Sequence, residues 1–221
     1  MACEQSDVSE RKTGVRIGGA PNQLSLDLGI PPQRPRRMPA SPRRDILFFA
    51  VLPAPTAAVR IAQQAEGLRN QYGLRGWCRP MELLHVTLNA VGAYSGLPGD
   101  VLSAAIEVGS IVEAAPFEVA FDRMSSFRGT DRHPLVLRCS HGIAELMTLQ
   151  KALGAAMRSI GLGPGNRSSF TPHVTLLYDR KSVLESGIDE PITWTVREFF
   201  LVHSLYGLSE HVHCARWPLR G

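Results

Sequence analysis

The tetrapeptide His85-Val86-Thr87-Leu88 returns as His173-Val174-Thr175-Leu176, 88 positions further along the chain. In an extended strand residues i and i+2 share a face, so each copy sets an imidazole beside a hydroxyl on one side and two aliphatic side chains on the other. At the same offset Leu47 and Phe49 fall on Leu135 and Leu137, as equivalent inward positions of two strands, and Gly73-Leu74 falls on Gly161-Leu162 at two helix ends. Strand, helix and His-x-Thr segment therefore recur in one order without a gap, which implies two copies of a strand-helix-strand unit.

The elements around these anchors follow from pattern. Ile46 to Leu52 is a short apolar run stopped by Pro53 and Pro55, which fits a buried strand. Ile61, Ala65, Leu68 and Tyr72 recur at helical spacing, with Gly73 at the helix end. Further strands are expected at 83–91, 116–122, 134–139, 172–178, 192–204 and 211–217, and helices at 98–114 and 142–160. Residues 1–44, rich in Pro, Gly and Arg, show no sustained apolar period and read as a flexible, solvated tail, so the folded unit is expected over 45–221.

Composition narrows the classes. A chain of 221 residues can bury a sizeable core in one domain or in two lobes sharing a cleft. It carries no run of about 18 apolar residues and no apolar leader segment, so a cytoplasmic protein without a membrane partner is expected. Cys3, Cys78, Cys139 and Cys214 stand far apart with no Cys-x-x-Cys pair and read as isolated reduced thiols. The net charge of +4 comes from the tail, where eight Lys or Arg face four Asp or Glu; residues 45–221 hold sixteen of each sign. Bulk charge thus says nothing about the substrate of the folded part.

The repeated motif carries chemistry. If the two copies pack about a pseudo-twofold axis, one imidazole stands on each side of a groove, an arrangement that suits a phosphodiester. Breaking a P–O bond needs a base for the attacking water and an acid for the departing oxygen, and histidine can be either near neutral pH. Threonine hydroxyls can donate to the phosphoryl oxygens. A lone strand histidine is ordinarily a packed or half-exposed residue; duplication of the whole tetrapeptide in matching context argues against that reading here. No metal and no cofactor is required.

These residues resemble the 2H phosphoesterase superfamily, and within it the bacterial 2′-5′ RNA ligase-like proteins, also described as RNA 2′,3′-cyclic phosphodiesterases. The resemblance runs from about residue 45 to the C-terminus. It is carried by the paired motifs, Phe48 to Pro53, Gly92, Phe170-Thr171-Pro172 and Arg216-Trp217-Pro218-Leu219. It implies an α+β fold, bilobal and duplicated, with antiparallel sheets flanking a central cleft and helices outside. It also implies opening of a 2′,3′-cyclic phosphate to a 2′-phosphate, with His85 protonating the leaving O3′, His173 activating water, and Thr87 and Thr175 holding the phosphate. RNA ends, tRNA fragments or cyclic nucleotides are the expected ligands, and a monomer is expected. Many relatives carry an arginine five residues after the second histidine; here that position is Tyr178, with Arg180 two further on, and relatives often have Phe at the position of Ala90.

Substrate contact is extended to Tyr178, Arg180, Arg128, Arg132 and Phe170; Arg128, Arg132 and also Arg167 read first as solvated loop arginines and second as phosphate or base contacts. His211 and His213 share a strand face but have no third ligand at a recognisable spacing, so a surface strand is expected and no metal site. His133, His141 and His203 sit in no motif. The stretch Gly161 to Gly165 reads as a turn. Gln23 to Leu28 resembles the peptide by which some bacterial proteins dock on the DNA sliding clamp. The rival functions are 2′-5′ ligation in the same cleft and an RNA-binding module without catalysis.

Overall fold

A computed structural model describes residues 44–163, 170–205 and 207–220. The tail with its clamp-like peptide 23–28, Cys3 and Arg167 lie outside the described residues. In chain order the elements are β1 (Asp45–Val51), α1 (Pro55–Gln71), a 3-10 turn (Met81–Leu83), β2 (Val86–Tyr94), α2 (Gly99–Ile111), β3 (Phe117–Ser126), β4 (His133–His141), α3 (Ile143–Ser159), β5 (His173–Asp179), β6 (Ser186–Val196), β7 (Glu198–Leu205) and β8 (Glu210–Pro218).

The strands form two antiparallel four-stranded sheets, ordered β2-β1-β7-β8 and β5-β4-β3-β6. Superposing the repeats makes β1-α1-β2 equivalent to β4-α3-β5, and the two sheet orders then coincide position by position, with β7 matching β3 and β8 matching β6. The α+β fold of two antiparallel sheets expected from the sequence is thus observed. Each motif strand, β2 or β5, is the edge of its sheet, and the two edges pack beside one another.

Helices α1 and α3 span 17 residues each and begin 88 positions apart. Both end alike: Gly73 and Gly161 take φ of +60° and +69°, and the next residue donates back to Arg69 at 2.9 Å and Met157 at 2.8 Å. Only glycine adopts that left-handed turn at little cost. The helices also exchange partners, since α1 lies against β5 and β6, and α3 against β2. Ile61 and Leu68 of α1, Leu149 and Leu153 of α3, Leu47 and Phe49 of β1, and Leu135 and Leu137 of β4 accordingly belong to one apolar core.

One expected element is two. The run 192–204 breaks at Arg197, with β6 pairing to β3 in one sheet and β7 to β1 and β8 in the other. The burial pattern changes at the corner, for Ile192, Trp194 and Val196 are buried at alternate positions and then Phe199 to Val202 are buried in succession. No helix among the described residues is long and apolar enough to cross a membrane.

Candidate active site

The two motifs share a local device beyond their sequence. Thr87 pairs with Ala50 and Asn89 with Phe49, leaving Leu88 unpaired; Thr175 pairs with Val136 and Leu177 with Leu135, leaving Leu176 unpaired. Each His-x-Thr is therefore followed by a β-bulge at its leucine. By simple alternation Tyr178, five residues after His173, would face away from it. The extra residue restores the phase, and Tyr178, opposite Pro134, returns to the face of His173 and Thr175.

The imidazoles are held alike. Nδ1–H of His85 donates to the carbonyl of Leu83 at 2.8 Å, and that of His173 to the carbonyl of Thr171 at 2.7 Å. A carbonyl only accepts, so each ring is fixed as the Nδ1–H tautomer when neutral and keeps its lone pair on Nε2. Burial, then electrostatic coupling to His211, Arg79 and His173, pushes His85 down to about 4. That influence puts the two motif histidines within electrostatic reach of each other. His173 is lowered by burial, against the opposing pull of its bond to Thr171. Both hydroxyls, Thr87 and Thr175, are half-buried and bond to nothing among the described residues.

The surroundings of the two histidines differ. His85 lies 4.9 Å from the ring of Phe48 and 5.1 Å from His211, above a small apolar floor of Phe48, Ala50, Phe200 and Val202. His173 packs edge-on to Phe127 at 4.9 Å. Its cross-strand neighbour is Arg138, whose guanidinium, like that of Arg123, binds Glu185.

A loop joins the halves. Asp179, at the end of β5, accepts the backbone N–H groups of Arg75 at 2.6 Å, Gly76 at 2.7 Å and Lys181 at 2.8 Å. The N–H of Arg79 donates to the carbonyl of Leu176, the bulge residue, at 2.7 Å. A Cβ on Gly76 would fall on the carbonyl oxygen of Tyr178, so only glycine lets the loop lie this close. Arg79 thereby comes over the Tyr178 ring, 5.6 Å from its centroid.

The structure thus brings His85, His173, Thr87, Thr175 and Tyr178 to the facing edges of the two sheets. It does not bring in Phe170, which packs against the main core. Arg180, Arg128 and Arg132 are exposed on loops and form no side-chain bond or ion pair among the described residues. His211, expected on a surface strand, is half-buried beside His85, while His213 is exposed and touches Phe200. The described residues gather no group of three metal-ligating side chains. Phe127, Arg79, Asp179 and Arg138 went unnoticed in the sequence. For Arg79 the one local signal is its place six residues before the first motif.

A sequence profile described as the 2′-5′ RNA ligase superfamily matches residues 56–207. The fold is similar to that of E. coli LigT crystallised with 3′-AMP, at a TM-score of 0.66 and 21% identity, covering 80% of this chain and 99% of LigT. It is also similar to the TT0787 protein of Thermus thermophilus, at 0.63 and 22% identity, covering 80% and 98%. A third solved structure, named only as a phosphoesterase, is similar at 0.62 and 23% identity, covering 82% and 100%. No curated protein sequence matches the chain.

Proposed function

The chain belongs to the 2′-5′ RNA ligase superfamily, a group of 2H phosphoesterases, and on that premise we propose that it hydrolyses 2′,3′-cyclic phosphate ends of RNA or nucleotides to 2′-phosphates, without a metal ion. The observation that carries the reading is the matched pair of imidazoles, each tied through Nδ1 to a carbonyl two residues back, each offering Nε2 beside an unengaged threonine hydroxyl. The 3′-AMP bound by LigT is consistent with a nucleotide ligand.

In this mechanism the phosphoryl group lies between the two Nε2 atoms, and Thr87 and Thr175 donate to its non-bridging oxygens. One neutral imidazole takes a proton from water as its oxygen attacks phosphorus. The P–O3′ bond breaks, and the other imidazole, protonated, gives its proton to O3′. The products are a 2′-phosphate and a free 3′-hydroxyl, and proton exchange with solvent resets the pair.

The family resemblance makes His85 the acid and His173 the base. The electrostatics support the reverse. Burial first, and then the Arg79 guanidinium, hold His85 neutral, whereas burial alone lowers His173. A neutral His85 suits the base, and His173 the proton carrier.

Incubation with a nucleoside 2′,3′-cyclic phosphate in EDTA, with identification of the product isomer, tests the reading. A 2′-phosphate product is expected. A 3′-phosphate product, or activity that vanishes in EDTA and returns with added metal, would overturn it. Supplying a 2′,3′-cyclic end together with a 5′-hydroxyl end tests the reverse, ligating direction at the same site.

A further inference from the structure

Two arginines of the fold, Arg79 and Arg138, bury their Nε without a hydrogen-bond partner. Arg138 has a counter-ion, because Glu185 holds its guanidinium. Arg79 has none: among the described residues no carboxylate lies within ion-pair distance of it. A partly desolvated cation with no anion of its own is costly to keep, and a site that keeps one is complementary to an anion supplied from outside.

Its place is set from both halves of the molecule. The backbone N–H is fixed to Leu176 at the bulge behind Thr175, and the guanidinium carbon stands 5.6 Å from the centroid of the Tyr178 ring. Its charge is felt by His85 and by His211 on the other sheet. The cation therefore stands where the two motif-bearing edges meet, backed by an aromatic face that stabilises it and restricts its swing. The guanidinium presents a planar fork of donors, which matches two oxygens of one phosphoryl group better than an ammonium does.

We propose that Arg79 is the anion-binding residue of this cleft, taking the non-bridging oxygens of the phosphoryl group that sits between His85 and His173, with Tyr178 as its positioning residue. The phosphoryl ligand rests on the functional reading above; the anion site itself does not. Thr87 and Thr175 then supply neutral hydrogen bonds, and Arg79 supplies the charge.

The test separates binding from turnover. Affinity of the full chain for inorganic phosphate is measured by titration calorimetry for the wild type, Arg79→Gln and Arg79→Lys, alongside kcat and KM on a nucleoside 2′,3′-cyclic phosphate and melting temperature. Arg79→Gln is expected to weaken phosphate binding by about 10- to 100-fold, as loss of a charge-assisted hydrogen bond does. Arg79→Lys, which keeps the charge but not the fork, is expected to fall between, with melting temperature unchanged. The pKa of His85, followed by NMR, is expected to rise in Arg79→Gln and not in Arg79→Lys, which checks that the charge stands at the cleft. Phosphate affinity in Arg79→Gln equal to the wild type, with kcat/KM retained, overturns the proposal and leaves the hydrolase reading standing. Arg79-dependent phosphate binding without turnover of the cyclic substrate does the opposite. If Arg79→Gln does not fold, Arg79→Lys decides: affinity equal to the wild type overturns the role of the fork.

Discussion

The rings of His85 and His211 lie 5.1 Å apart, centroid to centroid, at 66° to each other, with Phe48 in contact with both. A residue at the start of β8 thus stands beside the first motif histidine, and both are pushed down to about 4, first by burial. Arg79 lowers both, and His213 adds to the effect on His211.

The pair makes stability depend on pH in a definite direction. Each group has a folded-state value of about 4 against an ordinary 6.5. The stability they contribute is fully present above about pH 6.5 and lost as pH falls toward 4, where the unfolded chain takes up protons that the folded one refuses. Each proton adds a slope of up to about 1.4 kcal/mol per pH unit in that window. Urea denaturation at pH 7, 5.5 and 4.5 is expected to show the loss, and His211→Leu to make it shallower. An unchanged slope in His211→Leu would contradict a depressed His211.

Removing either motif imidazole removes a proton-transfer step. His85→Ala and His173→Ala are each expected to lower kcat on a nucleoside 2′,3′-cyclic phosphate by about 10²- to 10⁴-fold. The double variant is expected to fall little further, since the two act as a unit. In pH–rate profiles His85→Ala is expected to lose the acidic limb and His173→Ala the alkaline one, as the assignment of base and acid requires. Full activity in either single variant would remove that residue from the mechanism.

Asp179 holds the loop that carries Arg79, accepting three backbone N–H groups through its two carboxylate oxygens. These bonds, led by the one from Lys181, hold its carboxyl below the usual range. Asp179→Asn turns one acceptor into a donor facing an N–H. It is expected to cost about 1–3 kcal/mol of stability, with faster tryptic cleavage after Arg75. Native-like protease resistance would show that the loop is held by other contacts.

Gly76→Ala places a methyl group on the carbonyl of Tyr178, which as backbone cannot swing aside. The expected result is a loss of about 1–3 kcal/mol, as for other overpacked sites, with KM raised more than kcat is lowered. Equilibrium unfolding and steady-state kinetics on the same preparation check both. Wild-type values for both would mean that the close approach of loop and strand is unnecessary.

Much of this was readable before any coordinates, because it is local. The strand phase of His-x-Thr, the spacing of Ile61, Ala65 and Leu68, and the glycine ends at 73 and 161 depend only on neighbours a few residues away. Repetition of that local information at one offset then implied two sheets of the same plan. The corner at Arg197 escaped, since Ile192 to Ser204 is rich in strand-forming residues throughout and only the change from alternating burial up to Val196 to continuous burial over Phe199–Val202 marks the crossing. Phe170 is a different case: its place next to the second motif says nothing of where its ring goes, and in the structure it is half-buried and packs against the core.

By itself, then, the chain's order of residues determined the duplicated units and the two His-x-Thr faces, since strand and helix periodicities are properties of adjacent backbone. Tertiary structure alone decided the partners of those faces. The bulges at Leu88 and Leu176 depend on how many residues the neighbouring strand opposes to them, which sets Tyr178 beside His173. His211 reaches His85, and Arg79 reaches Tyr178, only because segments far apart along the chain close against each other, and no local pattern encodes which distant residue will fill that space.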